Sequence, residues 1–480
     1  MLLSEWLVPA LYFRQKHCHT LVLHFSKLKE HKKGKYHMKL KKIFYFCIIV
    51  SCFYFSSAVF ANKVHHYTLK NGLQLFVKVD RRAPVVISQV WYKVGSSYES
   101  LGITGISHAL EHMMFGGTKK YSSGELAKII AEHGGIHNAF TSYDYTVYYQ
   151  ELPAKDLELS FQLESDRMSN LLLLEKRFGK EKEVIKEERR LRTDNEPQAA
   201  TYERFLAAAN IASSYHHPVI GWMNDIQNLN VSDLRKWYDE MYAPNNAIIV
   251  VVGDVVPKQA YELVKKYFGP IKIKKLPVLK PQKEVPPLGK RNVDVSIPAK
   301  LPILFMGYNV PVLKTAKQSW QPYALVVLAA ILDGGSSARL EKEIVRGKRI
   351  AANVGVGCPL YSRLEDIFVL VGVPNKNHTV DELKQAFLKE IEKLQTTLVS
   401  KQELAKVKAQ VIAEEVFSKD SLSDQAYEIG SLESVGLSWR DGGKFVSRVE
   451  KITPHQVQQV AKKYLVPKRL TVTILTPEEI

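Results

Sequence analysis

The chain has 480 residues, of which 46% are hydrophobic and 24% charged. That length implies two or more domains with sizeable cores, and the composition excludes collagen-like, low-complexity and wholly disordered classes. The formal net charge is +18, yet no basic run is interleaved with aromatic residues, which argues against nucleic-acid binding.

At the amino terminus, Met38-Lys39-Leu40-Lys41-Lys42 is a short basic start. Ile43 to Phe55 is almost wholly apolar, and Ser56 to Ala61 supplies small residues, with Val59 and Ala61 where a signal peptidase reads. This is the order of a secretory signal peptide cut after Ala61. Residues 38–61 are therefore read as a signal peptide and 1–37 as an untranslated or disordered extension, with translation starting at Met38. The competing readings are an uncleaved membrane anchor, for which the apolar run is short, a transit peptide, and a lipoprotein box at Ile49-Val50-Ser51-Cys52. Residues through Ala61 hold ten Lys/Arg and two Glu, so removal leaves 57 basic and 47 acidic residues, a net charge of +10. This moderate excess favours acidic partners or anionic surfaces. Of Cys18, Cys47, Cys52 and Cys358, only Cys358 survives cleavage, which excludes a disulfide framework and a cysteine-rich zinc site.

From Val64 the chain reads as strand, strand, helix. Val64 to Leu69 and Leu73 to Val77 are strands flanking the hairpin turn signal Asn71-Gly72. Val85 to Val94 is a third strand, Gly105 to Gly116 a helix, and Ser123 to His133 a second helix ended by Gly134-Gly135. Asn138 to Glu151 is a Thr/Tyr-rich strand pair, Ala154 to Arg192 is mostly helical, and Ile248 to Val252 is a buried strand. From Phe268 to Pro298, prolines punctuate a lysine-rich stretch, the clearest linker in the chain. The order then recurs. Ile303 to Val310 is a strand, Pro322 to Leu332 a helix, Val354 to Gly357 and Ile367 to Val373 strands, Val380 to Leu394 a helix, and Leu470 to Leu475 a closing strand. The expected fold is α+β, with two homologous domains, 62–272 and 293–480, each a mostly antiparallel sheet packed with helices. A Pro/Lys-rich linker, 273–292, joins them.

His108-Ala109-Leu110-Glu111-His112 carries the chemistry. Histidines four apart on a helix share one face, and paired imidazoles suit a borderline-soft, tetrahedral ion such as zinc. Glu111 projects near the same face and can act as general base toward water on the metal. A catalytic zinc needs a third protein ligand. The acidic run Glu181 to Glu188 offers one: Glu181 and Glu188 are seven apart, so Glu188 can ligate while Glu181 orients a ligand, though Glu187 is nearly as suitable. His133, His137, His216 and His217 are read as turn or core histidines. Gly334-Gly335-Ser336 lacks the Gly-Lys-Ser/Thr of a phosphate loop.

With these texts the chain resembles the pitrilysin/insulinase family of inverted-motif zinc peptidases, in its short bacterial and mitochondrial-processing branch. The matching texts are Thr104 to Phe115, Asn138 to Ser142 with Asp144 and Thr146, Glu181 to Glu188, Tyr242 to Asn246, and Gly334 to Leu340. The resemblance implies a zinc endopeptidase acting on peptides or unfolded proteins, with one zinc ion per chain, and a carboxy-terminal domain that is itself inactive. It places the third ligand about 76 positions after the second histidine, which selects Glu188, and assigns Glu181 to the supporting shell. It makes Asn138, Ala139 and Phe140 an edge strand that takes up substrate backbone. One departure stands out. The family's Arg/Tyr pair for the substrate carbonyl falls on Val345 and Ala352, which have no side-chain donors. Either Arg346, Lys348 or Arg349 substitutes, or a related metal-free subunit supplies the pair in a heterodimer; homodimers are the other arrangement. The signal peptide implies a periplasmic location. The competing functions are a non-catalytic assembly subunit and a mitochondrial-type processing subunit.

Overall fold

Gly72, at φ 86°, reverses the chain between β1 (Val64–Thr68) and β2 (Gln74–Val79), which pair antiparallel with Thr68 opposite Gln74. The left-handed conformation that this turn requires is one that glycine adopts without a Cβ penalty. The computed structural model describes residues 63–278, 280 and 282–478. The proposed signal peptide and the 1–37 extension lie outside the described residues. Among those described, no helix is long and apolar enough to cross a membrane.

Four more strands complete the first sheet: β3 (Val85–Tyr92), β4 (Ile136–Thr141), β5 (Thr146–Pro153) and β6 (Ala247–Gly253). The second sheet holds β7 (Arg291–Pro298), β8 (Ile303–Val310), β9 (Ala351–Gly357), β10 (Asp366–Pro374) and β11 (Leu470–Glu478). The orders are β1-β2-β6-β3-β5-β4 and β7-β11-β8-β10-β9. Apart from β1 they match strand for strand. Each sheet has a single parallel pair, β2 with β6 and β7 with β11, and is otherwise antiparallel. This equivalence is the internal duplication that the repeating order of elements suggested.

The first half adds helices α1 (Ile106–Met113), α2 (Glu125–Glu132), α3 (Leu157–Asn170), α4 (Glu175–Arg189), α5 (Pro197–Ala209), α6 (Met223–Asn228), α7 (Val231–Met241) and α8 (Pro257–Phe268). The second adds α9 (Trp320–Asp333), α10 (Val380–Thr396), α11 (Lys401–Ser418), α12 (Leu422–Ser434), α13 (Phe445–Glu450) and α14 (Pro454–Tyr464). Among the described residues, no helix or strand lies between Gly269 and Lys290, and the expected linker therefore overlaps the first two residues of β7. β7 is an edge strand that alternates exposed and half-buried residues, so its polar composition reads like linker until its partner β11 is known.

One face of each sheet packs on helices of its own half. Leu75, Val77, Val90, Tyr92, Ile249 and Val251 join Ala109, Leu110 and Met113 of α1 in the first core, and Leu304, Met306 and Phe368 join α9 and α14 in the second. The opposite faces are covered by exchange. Helix α12 of the second half lies on β3 and β6, packing Ala426 and Ile429 among Phe76, Trp91 and Val250. Helix α5 of the first half lies on β7, β8 and β11, packing Phe205 and Ala209 among Phe305, Ile367 and Leu475. Each large apolar side chain buried this way contributes roughly 1.5–3 kcal/mol. Separating the halves would expose both faces.

Candidate metal centre

Helix α1 starts where the chain bends sharply. Gly105 sits at φ 84°, and its backbone lies against that of Gly221: a Cβ on Gly105 would stand 2.4 Å from Ile220 O. Two buried carboxylates hold this start. Glu99 accepts from the Gly105 and Ser107 N–H groups (2.7 and 2.8 Å), and Asp225 accepts from the N–H groups of Gly102 and Thr104 (3.1 and 3.2 Å) and from Thr104 Oγ1 (2.6 Å). Glu99 thereby takes the Ser107 N–H, one of the donors that a helix start leaves unpaired, and Asp225 pins the chain just before the helix. Ile106, Ala109, Leu110 and Met113 are buried in the core, which leaves His108, Glu111 and His112 on the other side of the helix.

Helix α4 supplies the facing carboxylates. Phe178 and Ile185 bury one stripe, and Arg189, itself buried, ends the helix with bonds to Glu203 (2.8 Å) and Gly221 O (2.8 Å). Gly221 thus joins the start of α1 to the end of α4. Beyond Arg189 the helix widens into one π turn, Arg190–Asp194, with Asn195 N donating to Arg190 O (2.8 Å); such turns recur at functional sites.

The structure brings His108, His112 and Glu188 together, with one donor atom from each and all three within 4.8 Å of one another. Glu188 Oε2 is 3.3 Å from His112 Nε2 and 3.7 Å from His108 Nε2. Four ligands about 2.0–2.2 Å from a tetrahedral zinc sit roughly 3.3–3.5 Å apart, so the Glu188–His112 spacing matches that of two ligands on one zinc and the N,N,O donor set fits the ion. Glu188 Oε1 is engaged by Arg192 Nε at 3.2 Å, which leaves Oε2 toward the imidazoles. The imidazole rings are 4.7 Å apart and nearly perpendicular. Burial, with His112 beside it, pushes His108 down to about 4, which keeps it neutral as a ligand must be. Burial raises the Glu188 carboxyl, but His112, His108 and Arg192 outweigh it and bring it to about 2. Glu187, the other residue that spacing allowed, points outward to Arg190 at 3.0 Å.

Glu181 stands behind His112, with its Oε2 3.6 Å from His112 Nδ1, and Arg177 Nη2 holds its other oxygen at 3.2 Å. A carboxylate on the far nitrogen of a metal-binding imidazole orients the ring and raises its basicity. Glu181→Ala is expected to weaken zinc affinity roughly 10–100-fold without unfolding the chain; competition against a chromophoric chelator measures it. An unchanged affinity would show that Glu181 does not support the ligand.

Glu111 is half-buried. Its Oε2 accepts from Thr141 Oγ1 at 2.5 Å. Burial pushes its carboxyl up to about 7 against the pull of that bond and of His112. Thr141 ends β4, the edge strand of the first sheet, and β4 packs against α1. Sequence reasoning gave Thr141 no role, although it lies within the matching stretch Asn138 to Ser142. Asn138 is exposed, and the Ala139 N–H donates to Asn138 Oδ1 at 2.9 Å. Phe140 turns to the other face of the sheet, where its ring meets Trp91, Tyr145 and Tyr427 of α12. Its side chain is therefore part of the packing between the halves.

The positions of the missing Arg/Tyr pair carry no donor here. Val345 packs against the second core, and Ala352 is exposed on β9. Arg346 is occupied by Ser336 O and Glu341. His133 pairs with Asp156 at 3.2 Å, His137 lies beside Phe115, and His216 and His217 stack edge to face. Among the described residues, no other group of three or more His, Cys, Asp or Glu is gathered for a metal.

Comparison with known proteins places this geometry. The family description "Insulinase (Peptidase family M16)" matches residues 76–221, and "Peptidase M16 inactive domain" matches residues 228–411. The chain is 36% identical over 363 residues to a protein named zinc protease PqqE of Helicobacter pylori, covering 75% of this chain and 81% of that one. It is 31% identical over 313 residues to an uncharacterized zinc protease of Mycobacterium leprae, covering 63% and 65%. A crystal structure of a protease from Helicobacter pylori superposes with a TM-score of 0.81 at 33% identity, covering 87% of this chain and all of the other. The chain belongs to the insulinase family of peptidases, peptidase family M16, in its short bacterial form.

Proposed function

We propose that this chain is a zinc-dependent endopeptidase acting on peptides or unfolded proteins. The observation that carries the reading is the triangle of His108, His112 and Glu188 donor atoms with Glu111 on the same helix as the histidines. Zinc held by those three residues supplies the Lewis acidity and the activation of water that amide hydrolysis needs. Glu111 takes the proton of the attacking water and delivers it to the leaving amine. Thr141 holds the Glu111 carboxylate in place. Edge strand β4 receives the substrate as an added strand, the incoming backbone replacing the local bond between the Ala139 N–H and Asn138.

A metal-free homologous subunit completes the site with an Arg/Tyr pair. Val345 and Ala352 support this, since neither side chain can hold a developing oxyanion. The order of basic, apolar and small residues in 38–61 supports export to the periplasm with cleavage after Ala61.

The test is cleavage of an unfolded peptide by protein purified from its native cell. Turnover is expected to fall to background with a chelator and to return when zinc is added back. Turnover that ignores the chelator would overturn the metallopeptidase reading. Full turnover by the chain purified alone would overturn the partner.

A further inference from the structure

The two turns that hold the centre meet beneath one side chain from the other half of the protein. The first turn, residues 95–99, ends in Glu99, which caps α1. The second, residues 142–145, follows Thr141, which holds Glu111. They dock through their backbones, Ser96 N donating to Ser142 O (3.1 Å) and Ser97 N to Tyr143 O (2.8 Å), and through Ser97 Oγ, which donates to Asp144 Oδ1 (2.7 Å). Arg363, in the loop between β9 and β10, reaches across to both. Its Nε donates to Asp144 Oδ1 (3.1 Å), and its Nη2 donates to Ser97 O (3.1 Å) and Ser97 Oγ (2.8 Å). Its guanidinium lies 4.2 Å over the Tyr98 ring. The backbone N–H of Arg363 donates to Asp144 Oδ2 (3.0 Å), which also accepts from Tyr215 OH. Asp144 is 4% exposed. It belongs to the stretch from Asn138 to Thr146 that carries the family resemblance, yet it takes no part in the chemistry.

We propose that Arg363 is a positioning residue for the centre. A half of the chain that supplies no metal ligand locks the turn capping the histidine helix to the turn that follows Thr141. A planar fork with several donors suits this role, because it bridges two backbone segments and satisfies a buried carboxylate at once. Arg363 sits in neither the metal's coordination sphere nor the substrate strand. Its removal would let α1 and Thr141 drift relative to each other, and small misplacements of catalytic groups cost rate steeply. The catalytic part of this inference rests on the peptidase reading above; the part concerning zinc affinity does not.

The experiment compares Arg363→Ala, Arg363→Lys and Arg82→Ala in the full chain. Arg82 serves as a control because it makes a separate, exposed contact between the halves, at Asp420. Expected for Arg363→Ala are zinc affinity weaker by roughly 10-fold and kcat lower by roughly 10–100-fold, with KM changed by less than about 3-fold. Arg363→Lys keeps the charge without the fork and falls between. Free guanidinium ion, far below denaturing concentration, restores part of kcat to Arg363→Ala. Arg82→Ala changes neither quantity by more than about 2-fold. A folded Arg363→Ala with both quantities within about 2-fold of the parent would overturn the proposal. So would an equal loss in Arg82→Ala, which would mean general loosening of the halves. If Arg363→Ala does not fold, a lysine variant indistinguishable from the parent overturns it instead. A parent chain that binds zinc and cleaves nothing would sink the peptidase reading alone, and the positioning role would then be decided on zinc affinity.

Discussion

Glu111→Gln is expected to keep one zinc ion per chain and to lower kcat by about 100- to 10,000-fold, the range that a general base contributes. Glutamine matches glutamate in shape, and its amide oxygen still accepts from Thr141, which stands 2.5 Å from the carboxylate in the parent. The three ligand side chains are untouched. What is lost is the ability to take a proton. Single-turnover and steady-state cleavage, together with the zinc content of the same preparation, separate the two effects. Retained turnover would remove Glu111 from the chemistry. Lost zinc would mean that the residue supports the ligands instead.

Gly105→Ala is expected to destabilise the chain by about 2–6 kcal/mol and to weaken zinc binding with it. Two costs add. A side chain at φ 84° is strained, by about 1–3 kcal/mol. The new Cβ also meets backbone, 2.4 Å from Ile220 O and 2.9 Å from Gly221 Cα, and overpacking of this kind costs roughly 1–3 kcal/mol. Relief would require moving Gly221, but its carbonyl is held by Arg189 next to Glu188. The clash therefore pushes the histidine helix away from the carboxylate helix. Gly102→Ala is the control. Its φ is 94°, but nothing lies within 4 Å of the added atom, so only the strain of about 1–3 kcal/mol remains. Thermal unfolding and zinc competition on both variants measure the difference. Equal losses would show that the Gly105–Gly221 approach does not matter.

Local patterns carried much of the architecture. Val85 to Val94 and Ile303 to Val310 read as strands because β-branched and aromatic residues cluster there between breakers. The equivalence of the two sheets was visible as a recurring order of elements. The side-chain direction of Phe140 was not legible in the sequence. Alternation alone does not say which neighbour each face of β4 meets: α1 touches Thr141 on one, and α12 touches Phe140 on the other. The end of the proline-rich stretch was equally opaque, because β7 is an edge strand with a polar face.

Residue identity and spacing were enough for the paired imidazoles, since residues four apart share a helix face whatever surrounds them. They were enough, too, for the glycine turns and for the lack of a side-chain donor at positions 345 and 352. Helix spacing alone left Glu187 and Glu188 open and the resemblance selected Glu188; the folded chain gives the physical reason, because the two project roughly 100° apart on one helix and face different neighbours. The exchange of α5 and α12 needed the folded chain, and so did the reach of Arg363 to Asp144, 219 positions away. Contacts of that range depend on the complementarity of two finished surfaces, and no period in the chain records which surface meets which.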